Sequence, residues 1–239
     1  MKWTEKYKVI APLMDVNNIA SPSAQLSYMQ DSANCQMEHD GPSYNELFEK
    51  GLAFILSRIT ISFYAPLSAH EVIESESWAC PSRGATFNRC YRLTRGGDVI
   101  AEASSAWALL DTKNEKLCRV GDIEYKYGED APIEPEMPAR FRIPTEADMS
   151  FVAEKIVGYA EADLNGHMTN TKYPDILCSY IGDMRGRRVS GMSVNFVSEA
   201  PLGQRLNVYA GEYDGVHYVR TIREDGKTNV EAAIVLCDI

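Results

Sequence analysis

Two tandem helix-wrapped antiparallel sheets, an α+β fold, are what this sequence predicts, and three observations predict them. The chain repeats its own landmarks in the same order. Each repeat carries one helical segment. Each helical segment is followed by alternating, strand-like runs broken by turn dipeptides.

The repeat is visible when the chain is laid on itself. Asp15 and Asn17 in "DVNNIASPSAQLSYMQDSA" meet Asp163 and Asn165 in "DLNGHMTNTKYPDILCSYI", both 148 positions apart. Ala65-Pro66-Leu67 then meets Ala200-Pro201-Leu202 at a separation of 135, and Glu102 meets Glu231 at 129. The copies differ where chemistry would reside: Ile19 stands opposite His167, and Tyr64 opposite Glu199.

Taken in order, the first copy opens with a helix carrying Leu26 and Met29. A short amphipathic helix follows in "SYNELFEKG", capped by Ser43 and stopped by Gly51, and leads into the strand "LAFILSRITISFY". Pro132, Pro135, Pro138 and Pro144 mark an extended connector, which divides the chain into a first unit at 1–128, a linker at 129–148 and a second unit at 149–239. In the second unit Asn170 caps a helix running to about Arg185, with Pro174 in its first turn and Gly186 as its stop. "RVSGMSVNFVSEA" and "QRLNVYAGEY" alternate as strands. Asp214-Gly215 and Asp225-Gly226 sit where hairpin turns want them, so the sheets should be antiparallel.

Composition narrows the function. Across 239 residues, 45% are hydrophobic and 24% charged, as in ordinary globular proteins, and the formal net charge of −10 opposes nucleic acid and anionic membranes. The six cysteines form no CxxC pair, and no run approaches the roughly 18 apolar residues of a membrane-spanning helix. "MKWTEKYKVIAPL" breaks any apolar leader with charges, so a reduced, cytoplasmic protein is expected, with no metal and no cofactor.

The chemistry concentrates in "ADLNGHMTNTKYPDIL", where Asp163, Asn165 and His167 alternate, and in "NFVSEAPLGQRL", which carries Glu199. An Asp-x-Asn before a helix is ordinarily turn and capping chemistry, and that is the reading for Asp15 and Asn17. His167 and Glu199 occur only in the second copy, which favours a site there. Cys178 falls inside the helix that the sheet encloses and reads as a buried, inert thiol. Glu102 and Glu231 read as solvent-facing strand residues. His39, His70 and His217 read as surface or structural.

These segments resemble the D-x-N-x-H-x-x-N element and the glutamate strand of acyl-acyl carrier protein thioesterases, and the paired units resemble the double hotdog architecture. "FILSRITISF" and "AEASSAWALLDTKNEKLCRV" are similar to that family's first-half strands. The resemblance implies hydrolysis of fatty acyl-acyl carrier protein to free fatty acid, with Asp163, Asn165, His167 and Glu199 as the catalytic set and Glu199 as general base. Ala200 replaces the cysteine that some members carry after the glutamate, which closes an acyl-cysteine route there. The first half then forms the acyl pocket, with Leu26, Met29, Ile59, Ile61 and Trp107 as candidate lining, and Asn170 heads a helix whose free amides face the oxyanion.

Arg185, Arg187 and Arg188 cluster in an otherwise acidic chain. They complement a helix C-terminus, worth about 0.3–1 kcal/mol per charge, or dock an acidic acyl carrier protein with its phosphopantetheine arm. No nucleic acid and no membrane partner is expected, and a homodimer is left open. An acyl-CoA thioesterase of the same fold, a non-catalytic acyl-carrier binding protein and a hydratase are the rival readings, because fold alone does not fix chemistry.

Overall fold

The computed structural model describes residues 2–122 and 130–239. The first half contains β1 (Trp3–Lys8), α1 (Pro22–Asp40), α2 (Tyr44–Lys50), β2 (Leu52–Phe63), β3 (Val72–Arg83), β4 (Thr86–Arg95), β5 (Asp98–Asp111) and β6 (Lys116–Cys118). The second contains β7 (Ser150–Ile156), α3 (Tyr173–Cys178), β8 (Arg187–Phe196), β9 (Arg205–Tyr213), β10 (Val216–Arg223) and β11 (Thr228–Asp238). The expected boundary at 128/129 lies outside the described residues.

All strand pairings are antiparallel, in the order β1-β3-β4-β5-β2-β8-β11-β10-β9-β7, with β6 beside β5. Read inward from either edge, the two halves have the same strand order. They meet at β2 and β8, where Arg58 pairs with Asn195 and Ser62 with Gly191. The double hotdog expected from the sequence is present, its two sheets fused into one.

Local chemistry explains the elements. Ser21 caps α1 by accepting from Ala24 N at 3.2 Å, Pro22 occupies the first turn, and Gly41 ends the helix at φ +68°. Ser43 and Glu46 form a capping box on α2, and Gly51 closes it in the left-handed region. Asp214 and Gly215, both at positive φ, make the two-residue turn between β9 and β10. Pro174 lies in the first turn of α3. The two main helices also cap each other, since Ser23 N donates to Asp175 Oδ1 at 2.9 Å and Asp175 N to Ser23 Oγ at 3.0 Å.

Two expectations need correction. The second helix does not run from Asn170 to Arg185: a 3-10 turn at Asn170–Lys172 precedes α3, which ends at Cys178. Ser179 Oγ bonds back to Asp175 O, and further on the chain at 184–187 is held by a first-half side chain, Asn17. Nor do Glu102 and Glu231 simply face solvent. Glu102 pairs with Arg92 at 2.6 Å and Glu231 with Arg220 at 2.6 Å, matching cross-strand pairs in the two halves.

The connector runs as a strap across the sheet. Trp78 Nε1 donates to Ala131 O at 3.1 Å, Glu136 N to Ser62 Oγ at 3.0 Å, and Ser193 Oγ to Pro138 O at 2.9 Å. Two glycines make room for it: a Cβ at Gly191 would lie 2.6 Å from Met137 Cγ, and one at Gly211 would lie 2.1 Å from the Ala147 carbonyl oxygen. Among the described residues no helix is long and apolar enough to cross a membrane.

Met137 is flexible and can move aside, whereas the Ala147 backbone cannot. Gly211→Ala should therefore destabilise by about 1–3 kcal/mol and Gly191→Ala by less. Thermal unfolding should separate them by a few degrees, at about 2–4 °C per kcal/mol for this chain length. Equal melting temperatures would contradict the tight approach at Gly211.

Candidate active site

The site is built on a loop that occurs twice. At 162–168 an Ala162–Met168 bridge closes the loop, Asp163 N donates to His167 O at 2.8 Å, and Asp163 Oδ1 accepts from Asn165 N at 2.8 Å and His167 N at 3.3 Å. At 14–20 a Met14–Ala20 bridge, Asp15 N to Ile19 O at 2.8 Å, and Asp15 Oδ1 accepting from Asn17 N at 2.8 Å and Ile19 N at 3.3 Å reproduce it bond for bond. Asp163 therefore shapes the loop by satisfying backbone amides, as an Asx turn does.

Neighbouring chain then brings the candidate side chains together. His167 bridges Pro201, Met168 N donates to Ala200 O at 2.9 Å, and Leu202 N donates to Gly166 O at 2.8 Å. This stitching sets His167 Nδ1 3.4 Å from Glu199 Oε2. The pair stays open to solvent, with side-chain exposures of 36% and 62%. In the first copy Ile19 has no ionisable group, and Tyr64 Oη is directed to Glu102 Oε2 at 3.2 Å.

The two asparagines separate sharply. Asn17 Nδ2 donates to Met184 O at 2.7 Å and Arg187 O at 2.8 Å, while its Oδ1 accepts from Gly186 N at 2.8 Å. It is a clamp between the halves. The Asn165 side chain has one hydrogen bond among the described residues, a 3.5 Å contact from Tyr44 Oη to its Oδ1, and Asn165 lines a cavity of about 440 Å³.

That cavity lies between α1, the first-half sheet and the second-half loop, with Gln30, Met37, Phe54, Phe87, Arg89 and Trp107 in its walls beside Asp163, Asn165 and Asn170. Trp107 and Asn170 line this cavity. Leu26, Met29, Ile59 and Ile61, the other expected lining residues, do not. All four are fully buried in the main core, and the helix face turned to the cavity carries Gln30, Ala33, Asn34 and Met37 instead. Ile59 and Ile61 pair with Val194 and Met192 at the seam between the halves. His167 and Glu199 are absent from the cavity lining. A larger hollow of about 590 Å³ adjoins the first-copy loop, with Asp15, Ile19 and Arg188 among its walls.

The arginines do not form one surface at the cavity. Arg188 donates to Phe63 O at 2.9 Å and Tyr64 O at 3.2 Å, the Arg187 carbonyl is held by Asn17, and Arg185 pairs with Asp183 at 3.4 Å. They flank the first-copy loop, because the segment that carries them is clamped to it. The helix expected to aim its dipole at the site is only six residues long in α3, which removes that argument. Cys178 is buried, and burial first, with the Asp175 and Asp15 charges behind it, pushes its thiol up to about 12, so it holds its proton at neutral pH.

Sequence reasoning missed Tyr44, Gln30 and Arg89. No local motif marks them, since only the packing of α1 over β4 and of α2 over β2 gathers them.

Comparisons with known proteins fit this architecture. Residues 1–126 match the family described as acyl-ACP thioesterase N-terminal domain. An acyl-ACP thioesterase from Bacteroides thetaiotaomicron superposes with a TM-score of 0.88 at 18% identity, over 99% of this chain and 98% of its own. A 12:0-ACP thioesterase from Umbellularia californica superposes with a TM-score of 0.86 at 12% identity, over 100% and 98%. These likenesses establish a shared fold. No curated protein matches in sequence.

Since Asn17 is saturated and Asn165 is not, Asn17→Ala should destabilise the fold by about 1–3 kcal/mol, whereas Asn165→Ala should stay within about 0.5 kcal/mol of the parent. Urea unfolding of both variants measures this, and equal losses would contradict the assigned roles.

Proposed function

The chain belongs to the acyl-ACP thioesterase family, and from that premise we propose that it hydrolyses fatty acyl-acyl carrier protein through the second-copy loop. It is a thioester hydrolase. The observation carrying the reading at residue level is the divergence between two loops of identical backbone chemistry: only one bears a histidine beside a glutamate and an asparagine that lines the 440 Å³ cavity.

The acyl chain lies in the first-half cavity, with its thioester carbonyl at the Asn165 end. Asn165 Nδ2 donates to the carbonyl oxygen and holds the charge that develops there. Glu199 takes a proton from water as the water oxygen bonds to the carbonyl carbon, and His167 keeps the carboxylate in position across their 3.4 Å contact. The tetrahedral intermediate collapses with cleavage of the carbon–sulfur bond. The phosphopantetheine sulfur takes up the proton, and free fatty acid leaves.

Two measurements test this reading. Glu199→Gln should lower the turnover number on acyl-acyl carrier protein by about 10²- to 10⁴-fold, while Tyr64→Phe and Cys178→Ala leave it close to the parent value. A folded, fully active Glu199→Gln enzyme would remove the general base, and a folded but inactive Cys178→Ala enzyme would restore a covalent route. Parallel rates on acyl-CoA separate the carrier-linked substrate from its same-fold rival.

Trp107→Ala opens the cavity wall. Because each buried methylene is worth about 0.8 kcal/mol, released acids should shift toward longer chains without an absolute switch. Gas chromatography of products reads the shift, and an unchanged profile would place length selection elsewhere.

A further inference from the structure

The Glu199 side chain is 62% exposed and, among the described residues, is met only by His167. Its direction is therefore set by its backbone. Three consecutive carbonyls there are each held by a different element: Ser198 O accepts from Asn229 Nδ2 on β11, Glu199 O from Arg223 Nη1 on β10 at 3.1 Å, and Ala200 O from Met168 N of the loop at 2.9 Å.

Asn229 is wholly buried and occupies a bulge. Thr221 pairs with Val230 and Ile222 with Thr228, so Asn229 is the extra residue between them, and its carbonyl accepts from Val197 N at 2.9 Å and Ser198 N at 3.1 Å. Its side chain does more than close the bulge. Besides holding Ser198 O, Nδ2 donates to Tyr173 Oη at 3.1 Å, while Oδ1 accepts from Thr221 Oγ1 at 2.9 Å. Tyr173 begins α3, so the amide joins the strand end before Glu199 to the helix that follows the candidate loop.

The first half has the same bulge without the amide. Leu93 pairs with Ala101 and Thr94 with Val99, which leaves Ile100 as the extra residue, and its carbonyl accepts from Tyr64 N at 2.8 Å and Ala65 N at 3.3 Å. Ile100 thus stands for Asn229 and Leu93 for Thr221, both buried and apolar. The backbone motif forms with hydrocarbon side chains, so the bulge itself does not require a buried polar cluster, which is costly unless every member is paired. That cluster accompanies the copy that carries Glu199.

We propose that Asn229 is a positioning residue for Glu199: its amide fixes the Ser198 carbonyl and, through Tyr173, ties it to α3, which sets the carboxylate against the loop. This rests on the reading of Glu199 as general base. Asn229 touches no substrate and transfers no proton. Its effect is geometric, and a misplacement of about 1 Å at a reacting group costs up to about 10²-fold in rate.

The test is a double-mutant cycle on acyl-acyl carrier protein hydrolysis with Asn229→Leu and Glu199→Gln. In the parent, Asn229→Leu should lower kcat by about 10- to 10²-fold and leave KM within about twofold. In the Glu199→Gln background the same substitution should change kcat by less than about twofold, because a displaced base and an absent one are equivalent. A merely structural role would lower both backgrounds by the same factor. Tyr173→Phe keeps the ring and frees the amide from α3, so it should show the same pattern with a loss of about 3- to 10-fold, and it decides the matter if Asn229→Leu does not fold. A parent-like kcat in the folded variant, or equal losses in the two backgrounds, would overturn this inference alone. A folded Glu199→Gln enzyme of full activity would overturn the general base and this inference with it.

Discussion

The antiparallel pairing of β2 with β8 is the constraint on which the rest of the molecule depends. It joins two sheets whose strand orders mirror one another, and it fixes the second-half loop over the first-half helix. Ile59, Ile61, Met192 and Val194 are buried along this seam, so its backbone bonds and its apolar contacts reinforce each other. Without it, Asn165 would have no cavity to face, because the α1, β4 and β5 walls belong to the other half.

Duplication lets one backbone design be spent in two ways. Both loops use an aspartate to organise their own amides and an asparagine two residues later. In the first copy that asparagine is saturated by the 184–187 segment and holds the halves together. In the second it is left with a single long contact. Equivalent positions thus have different surroundings in the two halves, while the two loops keep the same hydrogen bonds whether or not a histidine and a glutamate are present.

Much of this was legible in the sequence, for identifiable reasons. Turn and cap chemistry is local, so Ser43, Gly51, Pro174 and Asp214-Gly215 announce their elements. The repeat exposed the pairing of Asp163 with Asp15 and the asymmetry at His167 and Glu199. What failed depended on distant partners. Nothing near Gly186 reveals that Asn17 holds the 184–187 segment, and nothing near Arg188 reveals that its guanidinium is occupied by the Phe63 and Tyr64 carbonyls. The cavity lining failed by helical phase: Met29 and Gln30 are adjacent, yet one faces the core and the other the cavity.

The seam also has a temporal side. Its partners, such as Arg58 and Asn195, are separated by more than half the chain, so their pairing is among the most non-local in the molecule and closes late. During synthesis the first half emerges complete with β5 on one side of β2 and nothing yet on the other. Until β8 arrives, β2 is an open edge rich in β-branched residues, the kind of edge on which nascent chains stick to one another. The interval between the two halves leaving the ribosome is therefore the vulnerable period in the life of this protein, and the strap at 130–148, already bonded to Ser62 on β2, is the first segment able to cover part of that strand.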